Sequence, residues 1–307
     1  MNPPTSPTWD PFFAAGLLTG SMSPKDLRYL LSNHSQDEYT SASDETLASW
    51  RVPRIHPRPL DLDRDTQILL LGSQNYPELL ATVASPPPVL FVRGSLEALH
   101  PGLAVVGSRT DTPFGRRVTA SAVYALAGTT TPVISGLALG IDAWAHRVAL
   151  DAHLPTIAVL ATHPTSPTPL TNAALASEIL ESGGVLLSEQ PPDVTVPIAQ
   201  NLMARNRIIV ALSRLVVVAE CARRSGTMGA VAYACRYDRP VAVATPSDTN
   251  RDLPTAAGPV ALAGSIDQLP ELSLPHDVTQ RLRARGRIAN HIAASPRELA
   301  HLVATYF

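Results

Sequence analysis

The sequence predicts an α/β protein built on a doubly wound, mostly parallel sheet. Eight apolar runs of strand length recur through the middle of the chain. Stretches of helical length separate most of the later runs, for example Phe114 to Leu126 and Ile141 to Ala152. Continuously apolar strands that alternate with helices are typical of a parallel sheet covered on both faces, so we expect this architecture.

The predicted strands define a central domain at residues 61–270. In chain order the runs are ILLLG (68–72), VLFVRG (89–94), LAVVGS (103–108), PVISG (132–136), TIAVLA (156–161), VLLSE (185–189), LVVVAE (215–220) and PVAVA (240–244). Residues 1–60 show helical periodicity in FFAAGLL (12–18) and LRYLL (27–31), which predicts a small N-terminal helical domain.

The remaining segment, residues 271–307, predicts two helices. It contains a basic stretch, RLRARGR (281–287), followed by ASPRELAHLV (294–303). Ser295 is a suitable N-cap, with Pro296 at the first helical position and Glu298 at the third. A partial winged helix is one interpretation of this short segment.

Composition narrows the class of protein. The chain has 307 residues and a formal net charge of −2, which argues against a generally basic nucleic-acid protein. Its longest apolar runs are far shorter than a bilayer span, and no secretory signal precedes them, so we expect a cytoplasmic protein without membrane contact. Cys221 and Cys235 lack metal-ligand spacing, which favours buried reduced thiols.

Positive charge is concentrated in one segment. Seven arginines lie between Arg205 and Arg239, against only Glu220 and Asp238, which leaves a local surplus of five positive charges. Such a cluster beside a glycine turn is expected where phosphates bind.

Two glycine turns predict where an anion would bind. Gly107, Ser108 and Arg109 follow one apolar strand, and Gly136 follows the next, with a helix beginning near Gly140. If the two strands are parallel neighbours, both turns lie at one carboxyl edge, where ligands of open α/β sheets bind. Backbone N–H groups at the start of a helix suit a phosphate, and Arg109 would add a planar guanidinium.

Signatures of catalysis are missing from the sequence. It contains no G-x-x-x-x-G-K-[ST], no G-x-G-x-x-G in either turn and no G-x-S-x-G. Asp142, His146 and His153 could meet along one helix face, but Asp142 pairing with His146 is favoured over a metal site. We therefore expect phosphate binding without phosphoryl transfer, and no enzyme activity, metal or cofactor.

Five segments together resemble the DNA-processing protein A (DprA/Smf) family. They occur in consistent order from about Tyr76 to Thr245 and read YPELLATVASPPPVLFVRG, AVVGSRTDTPFG, SGLALGIDAWAH, LLSEQPP and ARNRIIVALSRLVVVAECARRSGT. The resemblance implies an extended Rossmann-like domain that forms homodimers, binds single-stranded DNA and loads the RecA recombinase during natural transformation. It also implies an N-terminal domain similar to a sterile-alpha-motif and a C-terminal winged helix.

The resemblance also implies a DNA-binding edge. Carried over to matching positions, its candidates are Gly107, Ser108, Arg109, Ser135, Gly136, Gly140, Arg205, Asn206, Arg207, Ser225, Gly226 and Thr227. His163 or another exposed ring would stack a base.

The sequence departs from the family pattern at several points. The family's Y-P-x-x-N segment is represented by THPTSPTPLTN (162–172), and no Lys or Arg occurs between Ala161 and Glu181. Thr245-Pro246 stands where a P-G turn is expected, and AAGPVALAGS (256–265) replaces a glycine-asparagine element. These departures bear on DNA binding more than on the fold.

Two alternatives to single-stranded DNA binding stay open. One is a nucleotide-signal sensor, or a non-catalytic relative of nucleotide phosphoribohydrolases, because SGTMGAV (225–231) keeps a Gly-Thr helix start but lacks the glutamate that hydrolysis needs. The other is a structural or partner-binding module.

Overall fold

A computed structural model describes residues 9–196, 198–246 and 250–307. Its centre is a nine-stranded sheet with the order β1-β2-β6-β5-β4-β3-β7-β8-β9. The strands are β1 (Thr66–Leu70), β2 (Val89–Gly94), β3 (Gly102–Val106), β4 (Val133–Ser135), β5 (Thr156–Val159), β6 (Val185–Ser188), β7 (Ser213–Val218), β8 (Val241–Ala244) and β9 (His291–Ala293). All pairs from β6 through β9 are parallel, whereas β2 is antiparallel to both β1 and β6. The predicted α/β, mostly parallel fold is confirmed, and all eight predicted strands are present.

Helices cover both faces of the sheet and form the N-terminal region. They are α1 (Pro11–Thr19), α2 (Pro24–Asn33), α3 (Gln36–Ser41), α4 (Asp44–Trp50), α5 (Glu78–Ala81), α6 (Pro113–Tyr124), α7 (Ile141–Asp151), α8 (Ala173–Glu181), α9 (Ala199–Ala204), α10 (Asn206–Ala211), α11 (Thr227–Arg236), α12 (Ala257–Ala263), α13 (His276–Arg285) and α14 (Pro296–Tyr306).

The N-terminal region contains the predicted helices, α1 to α4. Each begins at a side chain that accepts a hydrogen bond from the third residue after it, namely Asp10, Ser23, Ser35 and Ser43. Their apolar side chains share a core with Leu70, Val89 and Phe91 of β1 and β2, so the helices pack on the antiparallel end of the sheet. The separation of residues 1–60 as a domain stays a prediction, and residues 1–8 lie outside the described part.

The central strands of the sheet have a large apolar core on each face, in addition to the N-terminal core on β1 and β2 and a smaller core that α7 and α8 form with β5 and β6. Side chains from α6, α7 and α14 pack on one face, and side chains from α10, α11, α12 and α13 pack on the other. Alternate residues of β3 divide between the two, since Leu103 and Val105 belong to the first core and Ala104 and Val106 to the second. This two-sided burial explains why the strand is continuously apolar.

The interpretation of residues 271–307 as a purely helical segment is wrong in one respect. His291–Ala293 forms β9, which pairs in parallel with β8 at the edge of the main sheet, and α14 packs against α6. The predicted start of α14 is confirmed, because Ser295 Oγ accepts a hydrogen bond from the Glu298 N–H. The segment therefore completes the central sheet, and no separate winged helix is built from it.

Both cysteines are free and buried, as predicted. Burial raises the pKa of the Cys221 thiol to about 12, so this thiol stays protonated at neutral pH. In the described part of the chain, no helix is long and apolar enough to span a bilayer.

Candidate functional site

A pocket of about 500 Å³ opens at the carboxyl ends of β3 and β7. The chain passes from β3 through α6 to β4, which pairs with one side of β3. The other side of β3 pairs with β7, which the chain reaches through α9 and α10. The connections therefore diverge between β3 and β7, which is the topological switch point where open α/β sheets bind ligands.

Of the twelve predicted binding residues, eight line this pocket and four do not. Those that line it are Gly107, Ser108, Arg109, Arg205, Asn206, Ser225, Gly226 and Thr227. Those outside its lining are Ser135, Gly136, Gly140 and Arg207. Which of these residues contact a ligand stays a prediction.

Glu220 holds the turn that follows β3. Its buried carboxylate accepts hydrogen bonds from the Thr112 N–H at 2.6 Å and the Thr112 hydroxyl at 2.7 Å, and its carbonyl accepts from the Ser108 N–H at 2.9 Å. These bonds fix the backbone on either side of Arg109, whose own side chain is exposed and makes no ion pair with any described residue. Sequence reasoning missed this role, although an acidic residue directly after the apolar run LVVVA could have signalled it.

The N-terminus of α11 forms the opposite wall of the pocket. Within the described residues, the N–H groups of Ser225, Gly226 and Thr227 have no hydrogen-bond acceptor. The Thr227 hydroxyl donates to the Gly107 carbonyl at 3.1 Å and so joins the start of α11 to the turn after β3. Amides without acceptors at a helix start, together with an exposed arginine in the same pocket, have the chemistry that an anion site requires.

The residues of the turn after β4 pack closely against neighbouring parts of the chain. The Ser135 hydroxyl is buried and donates to the Val105 carbonyl at 2.7 Å. Gly136 leaves room for the Arg205 guanidinium, which a Cβ at position 136 would overlap. Gly140 has a φ of +76° and lies against the Ser108 carbonyl, so a side chain is excluded there on both counts. Gly136 thus allows close packing against the Arg205 guanidinium, and Gly140 allows close packing against the backbone of the turn after β3.

The anion seat at the start of α7 stays a prediction, although two of the amides there are already paired within the chain. The Ile141 N–H donates to the Ser108 carbonyl at 3.0 Å, and the Ala143 N–H donates to the Ala138 carbonyl at 3.0 Å. The Asp142 carboxylate already brings a negative charge to this first helical turn. It lies 3.3 Å from Arg205, which also donates to the Val159 carbonyl at 3.2 Å.

The arginine surplus is much smaller in the structure than in the sequence. Four of the seven arginines in the segment pair with carboxylates from outside it: Arg205 with Asp142, Arg207 with Glu189, Arg223 with Glu271 and Arg236 with Asp277. The prediction of a free arginine cluster at the pocket is therefore wrong, because distant parts of the chain supply the counter-charges. Burial lowers the pKa of Arg205, while the adjacent Asp142 carboxylate raises it.

The favoured pairing of Asp142 with His146 is also wrong. His146 is fully buried and its Nδ1 lies 2.7 Å from the Thr156 hydroxyl, while Asp142 faces Arg205. His153 lies past the end of α7, in a left-handed conformation with φ of +55°. Among the described residues, no group of three or more His, Cys, Asp or Glu side chains could hold a metal ion.

His163 is not an exposed ring. Its side chain is buried, its Nδ1 lies 2.8 Å from the Thr165 hydroxyl, and it packs edge-on against Phe91 with ring centroids 5.0 Å apart. Burial lowers its pKa to about 4. The prediction that it stacks a base is therefore wrong.

The divergent 162–172 segment supports the glycine turn through a residue that sequence reasoning missed. Asn172 is buried, and its side-chain amide donates to the Leu137 carbonyl at 2.9 Å. Pro169 and Asn172 keep the Pro-x-x-Asn spacing of the family pattern, and this spacing was the available signal. The loop after β4 is thus held by Asn172 and Arg205.

The fold defines an extended Rossmann-like protein with a candidate binding pocket at its topological switch point. Known proteins agree with this class. The DNA recombination-mediator protein A family matches the chain over residues 67–262, and the chain belongs to that family.

Individual Smf and DprA proteins are similar to this chain in sequence. Protein Smf of Escherichia coli is 43% identical over 170 residues, which cover 55% of this chain and 45% of that protein. DNA processing protein DprA of Bacillus subtilis is 31% identical over 237 residues, covering 76% of this chain and 78% of the relative. The matches to the E. coli protein and to the Synechocystis Smf protein span somewhat less than half the length of those relatives.

Two solved structures share most of this architecture. DNA processing protein A of Streptococcus pneumoniae superposes with a TM-score of 0.61 at 25% identity, covering 91% of this chain and 94% of the other. The Helicobacter pylori protein superposes with a TM-score of 0.57 at 26% identity, covering 72% and 95%. The latter structure is described as revealing a single-stranded DNA binding mode of that protein.

Proposed function

We propose that this chain binds single-stranded DNA at the switch-point pocket. One arrangement in this pocket carries the proposal. The amides of Ser225 to Thr227, which have no acceptor among the described residues, lie across the pocket from the exposed Arg109, which forms no ion pair there. Backbone amides and arginine recognise phosphate without reading base sequence, which suits a strand of any sequence. The single-stranded DNA binding of the similar H. pylori protein supports the same assignment.

Binding rather than catalysis fits the chemistry of this pocket. Asp142 is the carboxylate in its described lining, and Arg205 holds it in a buried ion pair. A general acid or base needs a carboxyl free to exchange a proton, so this pairing disfavours hydrolysis. We propose that the protein is not an enzyme.

The family membership supports a wider role. We propose that the chain acts in the cytoplasm as a homodimer, protects incoming single-stranded DNA and loads RecA during natural transformation. Sedimentation velocity would test the dimer. Nucleation of RecA filaments on oligonucleotides, with and without this protein, would test the loading.

An electrophoretic shift assay tests the central proposal. A dT oligonucleotide and a duplex of equal length would be titrated with the full chain at low salt. We expect retention of the single strand at much lower protein concentration than the duplex. Equal retention of the two, or no retention of the single strand, would contradict the proposal. Mononucleotides in a thermal-shift experiment address the alternative of a nucleotide sensor, which predicts stabilisation by mononucleotides rather than by oligonucleotides.

A further inference from the structure

A second cavity, of about 590 Å³, lies beside the carboxyl-terminal end of α11. It shares no lining residue with the switch-point pocket. Arg239 stands two residues before β8, at the edge of the sheet opposite the glycine turns, which follow their strands. We call it the arginine-tyrosine cavity, after its lining residues Arg207, Arg236, Arg239, Arg281, Tyr233 and Tyr237.

Two of its arginines are neutralised and two are not. Arg207 pairs with Glu189, and Arg236 forms two hydrogen bonds of 2.8 Å with the Asp277 carboxylate. Within the described ranges, Arg239 and Arg281 form no ion pair. The Nε of Arg239 is buried and has no hydrogen-bond partner there. Asp238 is the other carboxylate of the lining, so the cavity keeps an excess of positive charge.

The cavity also offers flat aromatic surface beside these charges. The rings of Tyr233 and Tyr237 are 5.7 Å apart and tilted by 34°. The Arg236 guanidinium lies 5.7 Å from the centre of the Tyr233 ring, so its ion pair with Asp277 also fixes that ring from one side. Both tyrosines are only partly buried, and the cavity volume falls in the range of small-molecule sites.

Arginines without ion-pair partners, next to aromatic rings, match a ligand that joins a phosphate to a planar base. We propose that the arginine-tyrosine cavity binds a nucleotide unit, with its phosphate on Arg239 and Arg281 and its base against Tyr233 or Tyr237. The unit comes from a free mononucleotide or from a DNA strand. The proposal does not depend on the function of the switch-point pocket.

Photochemical cross-linking tests this proposal with the full chain. A dT oligonucleotide carrying one 5-iododeoxyuridine would be irradiated with the protein, and the adducts mapped by mass spectrometry. We expect adducts at Tyr233 or Tyr237. An excess of unlabelled dTMP distinguishes the two sources, because it abolishes the adduct if the cavity prefers free nucleotide and leaves it if the strand is preferred.

A charge-matched pair of variants completes the test. Arg239→Gln with Arg281→Gln should reduce the tyrosine adduct at least fivefold, and lower the affinity for oligonucleotide or for dTMP, whichever binds. The control is Arg58→Gln with Arg297→Gln, which removes two exposed arginines elsewhere and should leave both unchanged. Adducts confined to residues near Arg109, or adducts at the tyrosines that persist undiminished in the cavity variant, would overturn the proposal. Tyrosine adducts that survive Arg109→Ala would separate this site from the switch-point pocket.

Discussion

Arg205 lies directly against the backbone of Gly136, in the space that a Cβ at position 136 would occupy. The guanidinium reaches this position from the start of α10 and pairs there with Asp142 of α7, with both side chains more than nine-tenths buried. Gly136, Arg205 and Asp142 therefore form one unit that ties α10 to the turn after β4. Two members of this unit, Arg205 and Asp142, line the switch-point pocket.

Gly136→Ala should destabilise the fold. The added methyl group overlaps the guanidinium, so Arg205 must move and leave Asp142 without its buried partner. We expect a loss of about 3 kcal/mol in the free energy of unfolding, measured by urea denaturation. Gly226→Ala is the matched control, because its new Cβ would meet only Met203 Sδ at 3.7 Å. A cost that is the same in an Arg205→Ala background would show that the two residues do not interact.

Asn172→Ala should loosen the turn after β4 without unfolding the protein. The substitution leaves the Leu137 carbonyl without its hydrogen-bond donor, at a cost of about 1–3 kcal/mol. Hydrogen exchange measured by mass spectrometry should show faster exchange in residues 136–140, with little change in β7 and β8. The exposed Thr171→Ala is the control and should exchange like the parent chain. Unchanged exchange in residues 136–140 would mean that Asn172 does not hold the turn.

Acid should destabilise the protein below about pH 6.5. Burial lowers the pKa of His146 to about 3, helped by the positive charge of Arg205, and lowers that of His163 to about 4. Both return to about 6.5 in the unfolded chain, so between about pH 4 and 6.5 the unfolded state binds more protons. The stability that depends on neutral His146 and His163 is fully present above pH 6.5. It is lost as the pH falls toward the pKa values of these histidines in the folded state.

The slope of stability against pH measures this effect. Each histidine contributes up to about 1.4 kcal/mol per pH unit within that range. His146→Gln should remove about half of the histidine contribution, whereas the exposed His301→Gln should leave the slope unchanged. Urea denaturation at intervals from pH 4.5 to 7.5 would check it, and an identical slope in His146→Gln would contradict the burial argument.

The strands and the sheet edge of the candidate site could be predicted from the sequence, but the ion pairs could not. Eight strands were predictable because burial on both faces leaves a continuous apolar run, as in LVVVA before Glu220. The ion-pair partners of Arg205 and Arg207 were not predictable from the sequence. Asp142 lies 63 residues from Arg205 and Glu189 lies 18 residues from Arg207, and the order of the strands in the sheet brings each pair together. β9 was missed because three residues with one exposed side chain resemble a loop.

Arg109→Ala should weaken the binding of single-stranded DNA and reduce its dependence on salt. Arg109 is the exposed arginine of the switch-point pocket, and its removal leaves one less phosphate contact. For a single strand, the slope of log affinity against log salt should become shallower by about 0.7. Fluorescence anisotropy of a labelled dT oligonucleotide, measured between low and physiological salt, gives both quantities.

Arg117→Ala is the matched control, because it removes an exposed arginine of α6 outside the pocket lining. If both variants lower the slope equally, Arg109 acts only through net charge. A specific loss in Arg109→Ala instead places a phosphate of the strand at Arg109, in the switch-point pocket.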